Sequence, residues 1–136
     1  MQTFLPYPNF EKTVKCLDFR RLGKQRVEAM QIYNIISGKN KSNAWINHPV
    51  VKMWREYPDA LAYYHNLCIA EWIIRGYNNN MKLINHKPIK NIVFPSWFGG
   101  EKFHSAHRQT LLEKNFEWYS QFNWKEEPKY EYIWPV

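Results

Sequence analysis

Between Leu17 and Glu28 the chain gathers Asp18, Arg20, Arg21, Lys24, Gln25, Arg26 and Glu28. On a helix Asp18, Arg21, Gln25 and Glu28 stand at i, i+3, i+7 and i+10 and share one face. The four cations repel one another unless an anion neutralises them, and a phosphate backbone is the natural anion for such a run. A carboxylate set among phosphate-holding cations can move protons on whatever is bound. Glu28 is the preferred general acid/base and Asp18 the second candidate. The plainer alternatives are that Asp18 caps the helix and that Glu28 pairs with Lys24.

A second run holds His104 and His107 at i, i+3, with Arg108 beside them and Lys114 further along. Phosphate contact by this face is the reading taken, against a plain solvated face. A metal site would need more: Glu101 lies one turn earlier, but no Cys and no second His pair accompanies it. No metal and no cofactor are expected. Trp54 and Trp97 can stack on a base but more often belong to a core. His48 and His65 stand alone, as hydrogen-bonded structural histidines usually do. No phosphate-cradling Gly loop, nucleophilic Ser motif or partnered Cys nucleophile occurs.

The elements that must position these residues are helical. Pro6 and Pro8 keep residues 1–8 extended, with Phe4 and Leu5 pinning the arm to the core. Asn9 caps a short helix over 10–16. The next helix is predicted over 18–37, closed by Gly38, with an inward side of Phe19, Leu22, Val27, Met30 and Tyr33. Arg26 falls near that stripe and needs an acidic or phosphate partner. Gly23 costs about 1 kcal/mol against Ala in a helix, so a close approach by another backbone or a ligand is expected there. Residues 39–43 read as a polar loop. Pro49 and Pro58 start helices over 50–55 and 58–75, the latter closed by Gly76. Residues 81–99 are irregular with at most one helical turn, and helices follow over 101–114 and 116–122. The expectation is an all-α, compact single-domain helical bundle over residues 1–136. It carries an extended N-terminal arm and an irregular aromatic-rich C-terminal tail.

A chain of 136 residues suffices for one real core. The net charge of +7 and a pI near 9.4 favour a polyanionic partner. Seven Trp and nine Tyr exceed what that core needs, leaving half-exposed rings to stack on bases. Cys16 and Cys68 make neither a metal spacing nor a disulfide framework and read as buried free thiols. Neither a leader peptide nor a bilayer-length apolar run is apparent. A monomer without membrane contact is expected, in the cytoplasm or, for a viral source, the host cell's cytoplasm.

Four runs together resemble the pyrimidine-dimer DNA glycosylase (endonuclease V) family, in a branch found in bacteria and their phages. They are Leu17-Asp18 with Arg21-Leu22-Gly23-Lys24-Gln25-Arg26-Val27-Glu28, His48-Pro49 with Met53-Trp54, His104 with His107-Arg108 and Leu111-Leu112-Glu113-Lys114, and the closing Tyr132-Ile133-Trp134-Pro135. The resemblance implies an all-helical domain that needs no cofactor and acts on double-stranded DNA. In it a chain-terminal α-amine attacks the sugar C1′ at a damaged pyrimidine, an imine forms, and β-elimination breaks the strand. A helix glutamate supports these steps while basic residues hold the kinked duplex and a base is flipped out. The nucleophile here would be Met1, since Gln2 is too bulky for ordinary methionine removal. An ordinary α-amine titrates at about 7.7–8.0, so a useful fraction is nucleophilic near neutrality. The resemblance puts Arg21 where the family's glutamate belongs, leaving Glu28 or Asp18 to substitute. Arg20, Arg21, Lys24, Gln25, Arg26, His104, His107, Arg108 and Lys114 form the expected DNA-facing set. Two other functions fit the same residues: a non-catalytic nucleic-acid-binding module, and an enzyme for a small nucleotide or modified nucleoside.

Overall fold

Helix starts and stops follow local chemistry. Asn9 Oδ1 accepts the Lys12 N–H at 2.7 Å and caps α1 (Phe10–Cys16). Helix α2 (Phe19–Ile36) ends ahead of Gly38, whose φ of +77° only glycine adopts without strain. Pro49 and Pro58 open α3 (Pro49–Trp54) and α4 (Pro58–Ile74), where a missing N–H leaves no bond unmade. Two further helices are α5 (Glu101–Lys114) and α6 (Phe116–Tyr119), and single 3-10 turns cover Ile89–Asn91 and Ser120–Phe122. The computed structural model describes residues 1–40 and 44–136, and among these all regular structure is helical. The all-α expectation is met. Part of the polar loop expected over 39–43, namely 41–43, lies outside the described residues.

Helix α2 packs chiefly on α4, with α1 and α3 beside them. Its buried row is Leu22, Gln25, Ala29 and Ile32. The inward side expected from the sequence is therefore corrected: Phe19 and Val27 are 50% and 43% exposed. The helix is turned because Gln25, though polar, finds hydrogen-bond partners for its whole amide in the interior, as described below. The turn also accounts for Gly23. A Cβ at Gly23 would stand 3.0 Å from Cζ3 of Trp72, so the close neighbour is an indole ring rather than a backbone or ligand. Arg26 lies over that same indole, 4.2 Å from its centre, and donates to Asn79 Oδ1 at 2.8 Å. Its partners are a ring face and an amide, not the acid or phosphate expected.

The two ends of the chain meet over α5. The N-terminal arm crosses it in extended form, and Tyr132 of the tail stacks on His107 with ring centres 4.4 Å apart. Trp124 stacks on Tyr119 and donates from Nε1 to the Tyr7 hydroxyl at 2.9 Å. Cys16 and Cys68 are buried and free, and burial pushes the Cys16 thiol up to about 12. No helix among the described residues is long and apolar enough to cross a membrane.

Candidate active site

An extended arm without a sheet partner must satisfy its main-chain N–H and C=O groups some other way. Here side chains do it. Gln25 Oε1 accepts the Phe4 N–H at 3.0 Å, and Gln25 Nε2 donates to the Gln2 carbonyl at 2.9 Å. The Tyr64 hydroxyl lies 2.5 Å from the same Oε1 and 3.1 Å from the Phe4 carbonyl. Trp54 Nε1 donates to Thr3 Oγ1 at 3.1 Å, and the Tyr132 hydroxyl donates to the Thr3 carbonyl at 2.5 Å.

Leu5 is gripped from α5. His107 Nδ1 accepts its N–H at 2.9 Å, and His104 Nδ1 stands 2.7 Å from its carbonyl. His104 Nε2 accepts the Gly99 N–H at 2.9 Å, so its single proton sits on Nδ1 and is donated to Leu5. Arg108 Nη1 donates to the Pro6 carbonyl at 2.8 Å. Burial lowers both histidines, His107 to about 3, and both are neutral in the fold.

What this scaffold aims is the chain start. The Gln2 N–H donates to Glu28 Oε2 at 2.7 Å. The Met1 α-nitrogen is three covalent bonds from that amide nitrogen and forms no ion pair with the Glu28 carboxylate in this structure. The His48 imidazole is lowered by burial and then by the terminal charge. His48 caps α3 by accepting the Val50 N–H at 3.1 Å.

Beside the arm opens a cavity of about 320 Å³. Arg20, Arg21, Lys24 and Lys114 line it with Glu28, the amides of Gln2 and Gln25, and Phe4. Its size is at the small end for ligand pockets and matches a single nucleotide better than a helix of DNA. Four cations against one carboxylate give it a positive interior suited to a phosphate-bearing ligand. Among the described residues no group of three or more His, Cys, Asp or Glu is placed to hold a metal ion.

The cavity thus unites Arg20, Arg21, Lys24, Gln25, Glu28 and Lys114, drawn from two helices far apart in sequence. Several other expected residues lie elsewhere. Asp18 is 4% exposed; one carboxylate oxygen accepts the Tyr119 hydroxyl and the other is 3.4 Å from Arg21. It holds α2 to α6 and is outside the cavity lining. His104 and His107, expected to face phosphate, are 0% exposed and grip the arm instead. Arg108 bonds Glu101 at 2.6 Å and Glu126 at 2.8 Å, so its charge is answered within the protein. Arg26 lies on the Trp72 side of α2. Not anticipated in this role are Trp54, Tyr64 and Tyr132, which hold the arm at Thr3 and Phe4. Only the amide of Gln25 within a charged run signalled them from the sequence.

A cation-lined cavity in an all-α fold suits a phosphate-bearing ligand. The comparison with protein families is more specific: the model of pyrimidine dimer DNA glycosylase matches residues 1–85 of the 136-residue chain. The chain belongs to this family of DNA-repair glycosylases, and its substrate is DNA. The matched part contains the arm, α1 to α4 and every cavity-lining residue except Lys114. No curated protein and no solved structure matches the chain.

Proposed function

We propose that this protein removes damaged or modified pyrimidines from double-stranded DNA and cleaves the strand by β-elimination, with the Met1 amine as nucleophile and Glu28 as general acid/base. The observation that supports the reading is the 2.7 Å bond from the Gln2 amide to Glu28, which ties the residue next to the terminus to a carboxylate of the cation-lined cavity. The neutral amine attacks C1′ of the extruded nucleotide. A C1′–N bond forms as the glycosidic bond breaks, and its electron pair leaves with the pyrimidine, which takes a proton from solvent. Glu28 accepts the proton the amine gives up and returns it to O4′ as the sugar opens to the imine. As a carboxylate again, Glu28 removes a C2′ proton; the C2′=C3′ bond forms and the 3′-phosphate leaves. Water then hydrolyses the imine and frees Met1. Arg20, Arg21, Lys24 and Lys114 hold the phosphates beside the extruded nucleotide, and Gln25 fixes the arm.

Borohydride reduction on a duplex carrying a pyrimidine dimer or an abasic site is the direct test. The expected result is a covalent adduct that mass spectrometry maps to Met1 and that acetylation of the terminus abolishes. Glu28→Gln should keep DNA affinity and lower elimination by about 100-fold or more. No adduct, or unchanged cleavage by the acetylated protein, overturns the amine mechanism.

Arg21 at the position of the family's glutamate favours a second reading, a DNA-binding module without chemistry. It predicts salt-sensitive binding and no adduct in the same experiment. The small-nucleotide reading placed His104 and His107 in its phosphate pocket, and their burial against Leu5 removes that half of it.

A further inference from the structure

On the flank of α2 that meets Trp72 of α4, Phe19 projects from the surface together with Tyr77, which lies just beyond α4; they are 50% and 38% exposed. Their ring centres are 5.1 Å apart, and both rest on Trp72: Phe19 nearly parallel at 5.6 Å and 14°, Tyr77 at 4.4 Å. Trp72 has little room to yield. The Arg26 guanidinium is 4.2 Å from its centre, Gly23 lies against its edge, and its Nε1 donates to the Asn78 carbonyl at 2.8 Å. The result is a firm aromatic ledge with its outer edge in water, a contiguous apolar patch of the kind that marks a contact surface.

Its neighbours say what it suits. Arg20 follows Phe19 directly and lines the cation-rich cavity. The helical repeat brings Phe19, Val27, Arg20 and Lys24 in succession around the exposed arc of α2, ending at the cavity. Ledge and cavity are therefore two ends of one strip, apolar and aromatic at one end and positive at the other. Rings set beside phosphate-holding cations offer a surface on which unstacked bases settle, largely regardless of base identity.

We propose that Phe19, backed by Tyr77, is a second DNA contact: a stacking ledge that receives an unstacked base next to the nucleotide held in the cavity. The inference rests on the DNA-glycosylase reading and adds to it. Extruding a nucleotide leaves its neighbours without a stacking partner, and an apolar wedge beside the kink replaces what they lose. Arg20 and Lys24 hold the adjoining phosphates, so the charge of the strip complements the same strand.

The test measures affinity by fluorescence anisotropy at several salt concentrations. One duplex is intact; the other carries a tetrahydrofuran abasic analogue, which has no base to lose. Phe19→Ala should bind the abasic duplex about tenfold more weakly, change the intact duplex little, and leave the salt slope as it is. Arg20→Ala should weaken both duplexes and reduce the slope by about one. Phe19→Trp should restore the abasic preference. Thermal melts accompany each variant, and a Phe19→Trp protein that binds no better than Phe19→Ala means the loss is structural and overturns the ledge. So does a Phe19→Ala, Tyr77→Ala double variant within twofold of wild type on the abasic duplex. The Met1 amine plays no part in this assay. Failed borohydride trapping with the discrimination intact overturns only the amine mechanism; full trapping with an indifferent Phe19→Ala overturns only the ledge.

Discussion

His107 accepts the main-chain N–H of Leu5 at Nδ1, 2.9 Å away, although 102 positions separate the two residues. An imidazole in that role cannot carry a proton on Nδ1. Burial, then the neighbouring His104, hold its pKa down to about 3. An unfolded chain protonates the same group near its ordinary value of about 6.5. Between those values the unfolded state binds the extra proton, so stability falls as pH drops from about 6.5 towards 3, by up to about 1.4 kcal/mol per pH unit for this residue. It is fully present above that window. His65 and His104 are displaced in the same direction by burial and add to the slope. Urea unfolding at about pH 7, about pH 5.5 and about pH 4.5 checks this. His107→Gln, which accepts without titrating, should show the shallower loss; an equally steep loss in that variant refutes the account.

Gln25 satisfies three groups at once: the Phe4 N–H, the Gln2 carbonyl and the Tyr64 hydroxyl. Gln25→Leu fills about the same space, leaves the Phe4 N–H and the Gln2 carbonyl unanswered, and leaves the Tyr64 hydroxyl only the Phe4 carbonyl. The expected loss is about 2–4 kcal/mol in urea unfolding. Faster amide hydrogen exchange at Phe4 and slower strand cleavage should accompany it, because the arm no longer holds its place over the cavity.

Gly23→Ala sets helix propensity against packing. The propensity gain is about 1 kcal/mol. The new methyl would sit 3.0 and 3.1 Å from two atoms of a Trp72 ring already pressed by Phe19 and Arg26. Overpacking of this kind costs typically about 1–3 kcal/mol, so the expected net change is a loss of about 1 kcal/mol. A thermal melt at or above the wild-type midpoint would show that the ring can move.

Lys114 closes the cavity from the end of α5, where it also lies 5.5 Å from the centre of the Tyr130 ring. Removing one phosphate-holding cation should cut the slope of log affinity against log salt by about 0.9. Lys114→Ala is expected to do so without loss of fold, as is Lys24→Ala. A slope unchanged in both would mean that the cavity does not meet the DNA backbone.

The helices were legible because their signals are local: Asn9, Pro49 and Pro58 at starts, Gly38 and Gly76 past ends. Much of the cavity was legible too, since Arg20, Arg21, Lys24, Gln25 and Glu28 share a stretch of one helix. The inward side of α2 was misread because hydrophobicity ranks Val27 above Gln25, whereas an amide bonded at both its oxygen and its nitrogen is as much at home in the interior. The histidines of α5 were misread for a related reason. Their partners are main-chain atoms of Leu5, and a main chain has no letter in a sequence. Arg108 finds Glu126 in the tail, a pairing that no periodicity announces.

The arm draws its partners from Gln25, Tyr64, His104, His107, Arg108 and Tyr132, the last of them four residues from the end of the chain. During synthesis the leading residues leave the ribosome long before most of these exist. Glu28, Gln25, Trp54 and Tyr64 are there to meet them first, and the grip is complete only once α5 and then Tyr132 emerge. A chain clipped before α5 therefore lacks the side chains that grip Leu5 and Pro6.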